Sequence, residues 1–203
     1  MACNLKSSIY TCQIMKGLSF LVLSLSFFFF SCGNGANSNS NAVDTTKSAD
    51  TTRNSPVVSI GSRDSTFSVN AADAGMLEVE LGKIAQSNSQ NQKVKNFGSM
   101  MVRDHTKAGD ELKTIAQTKH ITLPSQLSPE SQNKVDELRN KKGKDFDKSY
   151  MDLMVKGHTK VGAMFEDEIK NGSDADLKSF ASNTLTTIQM HLDSAKKCEK
   201  MVK

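Results

Sequence analysis

The spacing of apolar residues in the carboxy-terminal part of the chain constrains the fold most strongly. From residue 70 onward, apolar side chains recur every three or four positions, and no run of five residues alternates as a β-strand would. This period predicts long amphipathic helices at about residues 70–87, 90–119, 145–171 and 174–202. A shorter polar helix is predicted at about 129–142, where Ser128 can cap the first turn and Pro129 can occupy its first position.

The lengths of the connections predict how the long helices are arranged. The first and second long helices, and likewise the third and fourth, are joined by short segments, which force antiparallel neighbours. The second and third are joined by a long segment that contains the short helix and can cross the bundle. We therefore expect an all-α fold, an antiparallel four-helix bundle with one long crossover, which is the connectivity of ferritin-like proteins.

The first thirty-two residues have the pattern of an export signal. Lys16 is followed by an apolar run at residues 17–31 that is too short to span a membrane. Because Met15 is a natural start for such a signal, residues 1–14 are interpreted as an over-extended start. Ser31-Cys32 resembles the bacterial lipobox, in which the cysteine carries the lipid. A simple cleaved signal, with a free thiol at Cys32, is the alternative.

The composition divides the chain into three parts. Asn, Ser, Thr, Gly and Asp dominate residues 33–68 and leave too little apolar surface there to form a core. We predict a signal peptide at 1–31, a lipidated and disordered tether at 32–68, and the bundle at 69–203. A lipid on Cys32 would anchor the protein in a membrane, and the residue after it is not Asp, which favours the outer membrane of a bacterial envelope. No basic block with interleaved aromatic residues is present, which excludes nucleic acid as a partner.

Three of the four histidines lie on the apolar faces of different long helices, near their middles. In a bundle these rings would share one layer, where buried imidazoles need polar partners. Two acidic residues stand at matching positions of two similar segments, GMLEVELG and AMFEDEIK. The resulting hypothesis is a transition-metal site, for iron rather than copper, with Glu80 and Asp104 in support; its ligands would be Glu78, His105, His158, Glu166 and His191. The alternative is a set of histidines that form hydrogen bonds within the core.

A standard ferritin-like di-metal centre is disfavoured by two residues. Such a centre needs a Glu three positions before a His on two of its helices. Val102 and Ile188 occupy these positions before His105 and His191. The sequence therefore predicts a site for one metal ion or a vestigial site.

Five segments resemble, in order, the bacterial family called domain of unknown function 4142; they read GMLEVELGKIA, FGSMMVRDHTKA, HITLP, FDKSYMDLMVKGH and LKSFASNTLTTIQMHLDSAK. The likeness covers about residues 71–195. The resemblance implies a ferritin-like fold and an exported protein, and it supplies no activity and no catalytic residue. Two functions stay open. One is a binding or stress-related envelope protein without catalysis, whose protein or small-ligand partner is unidentified, and the other is a metal-dependent redox or storage protein.

Overall fold

A computed structural model describes residues 61–203, which form five helices and, within that range, no strand. They are α1 (Ser62–Asn88), α2 (Gln92–Thr118), α3 (Pro129–Arg139), α4 (Gly143–Asn171) and α5 (Ala175–Val202). None of these helices combines the length and the apolar content that crossing a bilayer requires. The predicted signal peptide, Cys32 and most of the predicted tether lie outside the described residues.

The four long helices form a bundle in which each helix packs against two others. α1 lies along α2 and α4 lies along α5, while α1 with α4 and α2 with α5 close the arrangement. α4 begins beside the end of α1, where the Asn88 amide donates hydrogen bonds to the carbonyl oxygens of Arg139 (3.1 Å) and Lys141 (2.9 Å). Every neighbouring pair is therefore antiparallel. The prediction of a ferritin-like bundle with one long crossover is confirmed.

The crossover between α2 and α4 is fastened to α1 by one carboxylate. Asp73 accepts hydrogen bonds from the Ser128 N–H (2.7 Å), the Ser128 hydroxyl (2.9 Å) and the Ser131 hydroxyl (2.7 Å). Ser128 also caps α3, as its sequence position predicts, by accepting the N–H of Ser131 (3.2 Å). Val135 and Leu138 of α3 are buried in the core. The short helix is thus an integral part of the bundle.

α1 begins at Ser62, so the segment 62–68 belongs to the bundle and was wrongly included in the predicted tether. Its composition is misleading because Phe67 is its only large apolar residue. The Phe67 ring packs edge-on against Phe165 (5.0 Å between ring centroids) and is almost fully buried. A contact with a residue far along the chain, rather than local periodicity, therefore sets the start of the helix.

Asp64 joins the first turn of α1 to the turn between α4 and α5. Its buried carboxylate accepts hydrogen bonds from the N–H (2.9 Å) and the hydroxyl of Ser173. Burial by itself would raise the pKa of Asp64, but these hydrogen bonds outweigh it and the pKa is lowered. The neighbouring Glu168 has its pKa raised to about 7, first by burial and then by Asp64.

α1 and α2 approach each other closely at two glycines. A Cβ atom on Gly82 would lie 2.6 Å from the carbonyl oxygen of Gly98, and one on Gly98 would lie 2.8 Å from the Ala85 Cβ. Real Cβ atoms do not come so near to backbone, so this helix contact requires glycine. It places the backbones of α1 and α2 in direct contact on the side of the bundle where α1 ends and α2 begins.

The core consists of two apolar clusters, one towards each end of the bundle. The first includes Leu81, Phe97, Tyr150 and Met154, and the second includes Phe67, Leu112, Phe165, Phe180 and Ile188. The polar residues described next lie in the layer between these clusters.

Candidate metal site

Three histidines from three helices meet in the layer between the two apolar clusters. Their ring centroids are 5.3 Å apart for His105 and His191, 5.5 Å for His158 and His191, and 5.7 Å for His105 and His158. One ligating atom of each ring lies within 4.8 Å of those of the other two. Within residues 61–203, this is the one group of His, Cys, Asp or Glu side chains found close enough to hold a metal ion.

Each ring presents one buried nitrogen without a hydrogen-bond partner. His158 donates from Nδ1 to the carbonyl oxygen of Met154 (2.9 Å), which leaves its Nε2 unpaired. His191 donates from Nε2 to Asp104 (3.0 Å), which leaves its Nδ1 unpaired. The Nε2 of His105 also lacks a partner among the described residues. Because carbonyl and carboxylate oxygens only accept, His158 and His191 must each carry their proton on the outer nitrogen.

Asp104, predicted as a supporting residue, orients His191 from the surface of the bundle. The Arg103 guanidinium binds this carboxylate through two hydrogen bonds, of 2.7 and 3.0 Å. The bonds from Arg103, followed by the one from His191, hold the pKa of Asp104 below its usual value despite partial burial. A carboxylate behind a ligating imidazole is the usual way in which proteins fix the ring and its tautomer.

Glu78 from α1 adds a fourth polar group to this layer. It is only 5% exposed, its Oε1 lies 3.9 Å from Nδ1 of His158, and its Oε2 has no hydrogen-bond partner. Burial raises the pKa of Glu78 to about 8. In the metal-free protein this carboxyl group is therefore mostly protonated at neutral pH.

The same burial keeps the imidazoles neutral. It lowers the pKa of His105 to about 3 and that of His158 to about 4. The pKa of His191 is also lowered by burial, although the hydrogen bond to Asp104 opposes this. Neutral imidazole is the form that binds a metal ion, so no proton has to be removed from these rings first.

Two of the residues predicted for the site do not join it. Glu166 is exposed on α4, because it follows the inward-facing Phe165 and each residue turns the helix by about 100°. Glu80 forms ion pairs with Arg139 (3.2 Å) and Lys83 (3.8 Å). Although the segments GMLEVELG and AMFEDEIK are similar, Glu78 of the first is buried and Glu166 of the second is exposed.

Tyr150 is a buried polar residue near the site that the sequence pattern assigns to the core and not to a site. The hydroxyl of Tyr150 is buried without a hydrogen-bond partner, and burial, reinforced by Glu78, raises its pKa well above the usual value. Its place two helical turns before His158 on the same apolar face was the available signal. Tyr is common on the buried apolar face of a helix, so its position alone does not indicate a functional site.

The residues present do not fit a ferritin-like pair of metal ions. Val102 is half-buried and Ile188 is fully buried at the two positions where bridging carboxylates are needed. The three imidazoles are instead a possible ligand set for a single ion.

Two openings reach the histidines from different sides. A cleft of about 680 Å³ lies between α1, α2 and the crossover, and Glu78, His105 and His158 line its inner end. A smaller groove of about 300 Å³ lies between α2 and α5 and reaches His105 and His191 beside Asp104. His105 therefore faces both openings.

The fold and the site together define a class: a ferritin-like crossover bundle with a histidine-rich centre. A family model described as "Domain of unknown function (DUF4142)" matches residues 46–198, and the chain belongs to this family. The crystal structure of a DUF305 fragment from Deinococcus radiodurans has a similar fold, with a TM-score of 0.63 and 12% sequence identity over 70% of this chain and 98% of that one. At this identity the likeness concerns the fold alone. No curated protein matches the sequence significantly.

Proposed function

We propose that this protein binds one first-row transition-metal ion through His105, His158 and His191, with Glu78 as a further ligand. The observation that carries the proposal is the meeting of three imidazole rings, each with a possible ligand atom within 4.8 Å of those of the other two and each with one buried nitrogen that lacks a hydrogen-bond partner. Leaving a buried polar atom unsatisfied costs about 1–3 kcal/mol. One metal ion would satisfy all three nitrogens at once.

The ligand set favours a metal of intermediate softness. Neutral imidazoles suit zinc, copper, iron and nickel, and a single carboxylate is compatible with each of them. Because the bridging carboxylates of a di-metal oxidase are replaced by Val102 and Ile188, the proposed role is to hold or deliver an ion. We therefore propose a role in binding a metal ion and not in catalysis.

Metal analysis of the purified protein tests this proposal. After exposure to iron(II), zinc(II), cobalt(II) or copper(II) and removal of excess metal, we expect about one ion per chain for at least one of them. His105→Ala and His158→Ala should each weaken binding by at least roughly a hundredfold, because each removes a direct ligand.

His120→Asn is the matched control for these variants. His120 is an exposed histidine at the end of α2 with a positive φ of 56°, a conformation that Asn tolerates well. It should leave the metal content unchanged. Metal well below one ion per chain that is the same in all four proteins would refute the site.

We also propose that the protein is an exported lipoprotein, anchored through Cys32 in the outer membrane of a bacterial envelope. The support is in the sequence: the apolar run at 17–31, the lipobox-like Ser31-Cys32 and the polar stretch that follows. Cells that express the full chain should incorporate labelled palmitate into it. Cys32→Ser should abolish the label, and a label that survives this change would contradict lipidation.

A further inference from the structure

The cleft between α1, α2 and the crossover is largely apolar, and it ends at the histidines. Its walls include small and apolar side chains: Ala71, Gly75, Ala108, Leu112, Phe165 and Phe180. Its inner end is formed by Glu78, His105 and His158, and each of them presents a buried polar atom without a partner. Its volume of about 680 Å³ falls within the usual range for small-molecule sites.

At two positions along the cleft, α1 and α2 contribute a glycine and therefore no side chain. A Cβ atom on Gly75 or on Gly109 would meet no atom within 4 Å. These two glycines therefore face open space, unlike Gly82 and Gly98, which are needed where the same two helices touch. The open space continues to the edge of the proposed metal site.

The charge at the inner end of the cleft indicates which kind of ligand could bind there. A divalent ion bound by three neutral imidazoles and by Glu78 as a carboxylate would leave one uncompensated positive charge in a buried layer. One monoanionic ligand would neutralise it. Lys83, Lys113 and Arg139 line the outer part of the cleft, and Glu80 and Asp110 only partly balance them, so an anion would also be drawn towards the opening.

We propose that the cleft binds an amphipathic monocarboxylate, with its carboxylate on the metal ion and its apolar body against the walls of the cleft. This inference rests on the proposed metal site. One carboxylate oxygen would displace a water molecule from the ion, and no bond within the ligand would break. The apolar body is what the walls formed by Leu112, Phe165 and Phe180 can recognise, because burying each additional methylene group favours binding.

Decanoate and acetate, titrated into the cobalt(II)-loaded protein, form the test. Both carry the same carboxylate, but only decanoate has an apolar body. We expect decanoate to change the visible absorption of cobalt(II), since a new ligand alters its coordination, with a dissociation constant at least about tenfold lower than that of acetate. Binding of decanoate to the metal-free protein should be at least about tenfold weaker than to the loaded protein.

Gly75→Leu should abolish the advantage of decanoate over acetate. The new side chain enters open space within the cleft, and Leu is a better helix former than Gly, so we expect the variant to fold. It should still bind one cobalt(II) and still respond to acetate. Ala163→Leu is the control, because Ala163 is an exposed residue of α4 that does not line the cleft, and it should behave as the unmodified protein does.

The outcomes separate this inference from the proposed function. A protein that binds cobalt(II) and shows no preference for decanoate, or keeps the preference in Gly75→Leu, would overturn the inference and leave the metal site standing. A protein that binds no metal ion would overturn both.

Discussion

At the scale of single residues, the central layer combines groups with opposite protonation preferences. Burial keeps His105 and His158 neutral well below neutral pH and keeps Glu78 protonated well above the ordinary range of a carboxyl group. In each case burial disfavours the charged form. The metal-free layer therefore carries little charge at neutral pH.

The raised pKa of Glu78 predicts that the metal-free protein loses stability as the pH rises. The pKa is about 8 in the folded protein, against 4.5 for an ordinary glutamate side chain, so between these values the unfolded chain releases a proton that the folded one keeps. The stabilisation is fully present below pH 4.5 and is lost as the pH rises through 8. Between about pH 6.5 and 8 we expect the free energy of unfolding to fall by roughly 1.5 kcal/mol more than in Glu78→Gln. Urea unfolding of both proteins measures this, and Glu168 contributes equally to both. Parallel pH profiles would contradict the prediction.

The sequence could predict the histidines of the site, but of the four acidic residues that it proposed only Glu78 and Asp104 lie there. His105, His158 and His191 continue unambiguous apolar stripes, so helical periodicity alone puts them inside the bundle. Glu166 follows directly after the stripe of α4, and one residue is enough to turn a side chain into solvent. The unpaired nitrogens and the cleft depend on rotamers and on how far apart the helices stand, which no local pattern encodes.

At the scale of the elements, the contact between α1 and α2 makes a sharp prediction about glycine. Gly82→Ala and Gly98→Ala should each destabilise the protein by roughly 1–3 kcal/mol, because the added methyl group would strike backbone or a buried Cβ atom of the facing helix. Gly109→Ala, in the same helix as Gly98 but facing open space, should instead stabilise it by roughly 1 kcal/mol. Thermal unfolding of the three variants measures these effects. Equal shifts for all three would show that helix propensity, rather than the helix contact, decides.

Helix ends were predictable where the chain marks them with its own chemistry. Ser128 and Pro129 begin α3 where the sequence predicts, because the cap and the first-turn proline act within a few residues. The start of α1 carries no such signal, since Gly61 makes no side-chain cap hydrogen bond. What holds that turn in place is Asp64 and Phe67, whose partners lie in α4, α5 and the turn between them.

At the scale of the whole molecule, the first turns of α1 should be needed for stability. A chain that begins at Ser62 keeps the Asp64 hydrogen bonds and the buried Phe67 ring, whereas a chain that begins at Val69 loses both. Loss of a buried phenylalanine side chain alone costs about 3–5 kcal/mol. We expect the shorter chain to be less stable by more than about 3 kcal/mol in urea unfolding. Arg63→Ala in the longer chain is the control, because its ion pair with Asp167 is exposed and should contribute less than about 1 kcal/mol. Equal stability of the two chains would restore the boundary at residue 69.

The glycine contact also determines how the aperture of the cleft can vary. The backbones of α1 and α2 touch at Gly82 and Gly98, so one helix can rotate against the other about this point. Gly75 lies seven residues before Gly82, which is roughly 10 Å along the helix axis. Rotating α1 by about ten degrees around this point would displace Gly75 by roughly 2 Å, about the van der Waals radius of a methyl group. Such a rotation of α1 would widen the cleft for bulkier ligands and would leave all three imidazoles in place, since they lie on α2, α4 and α5.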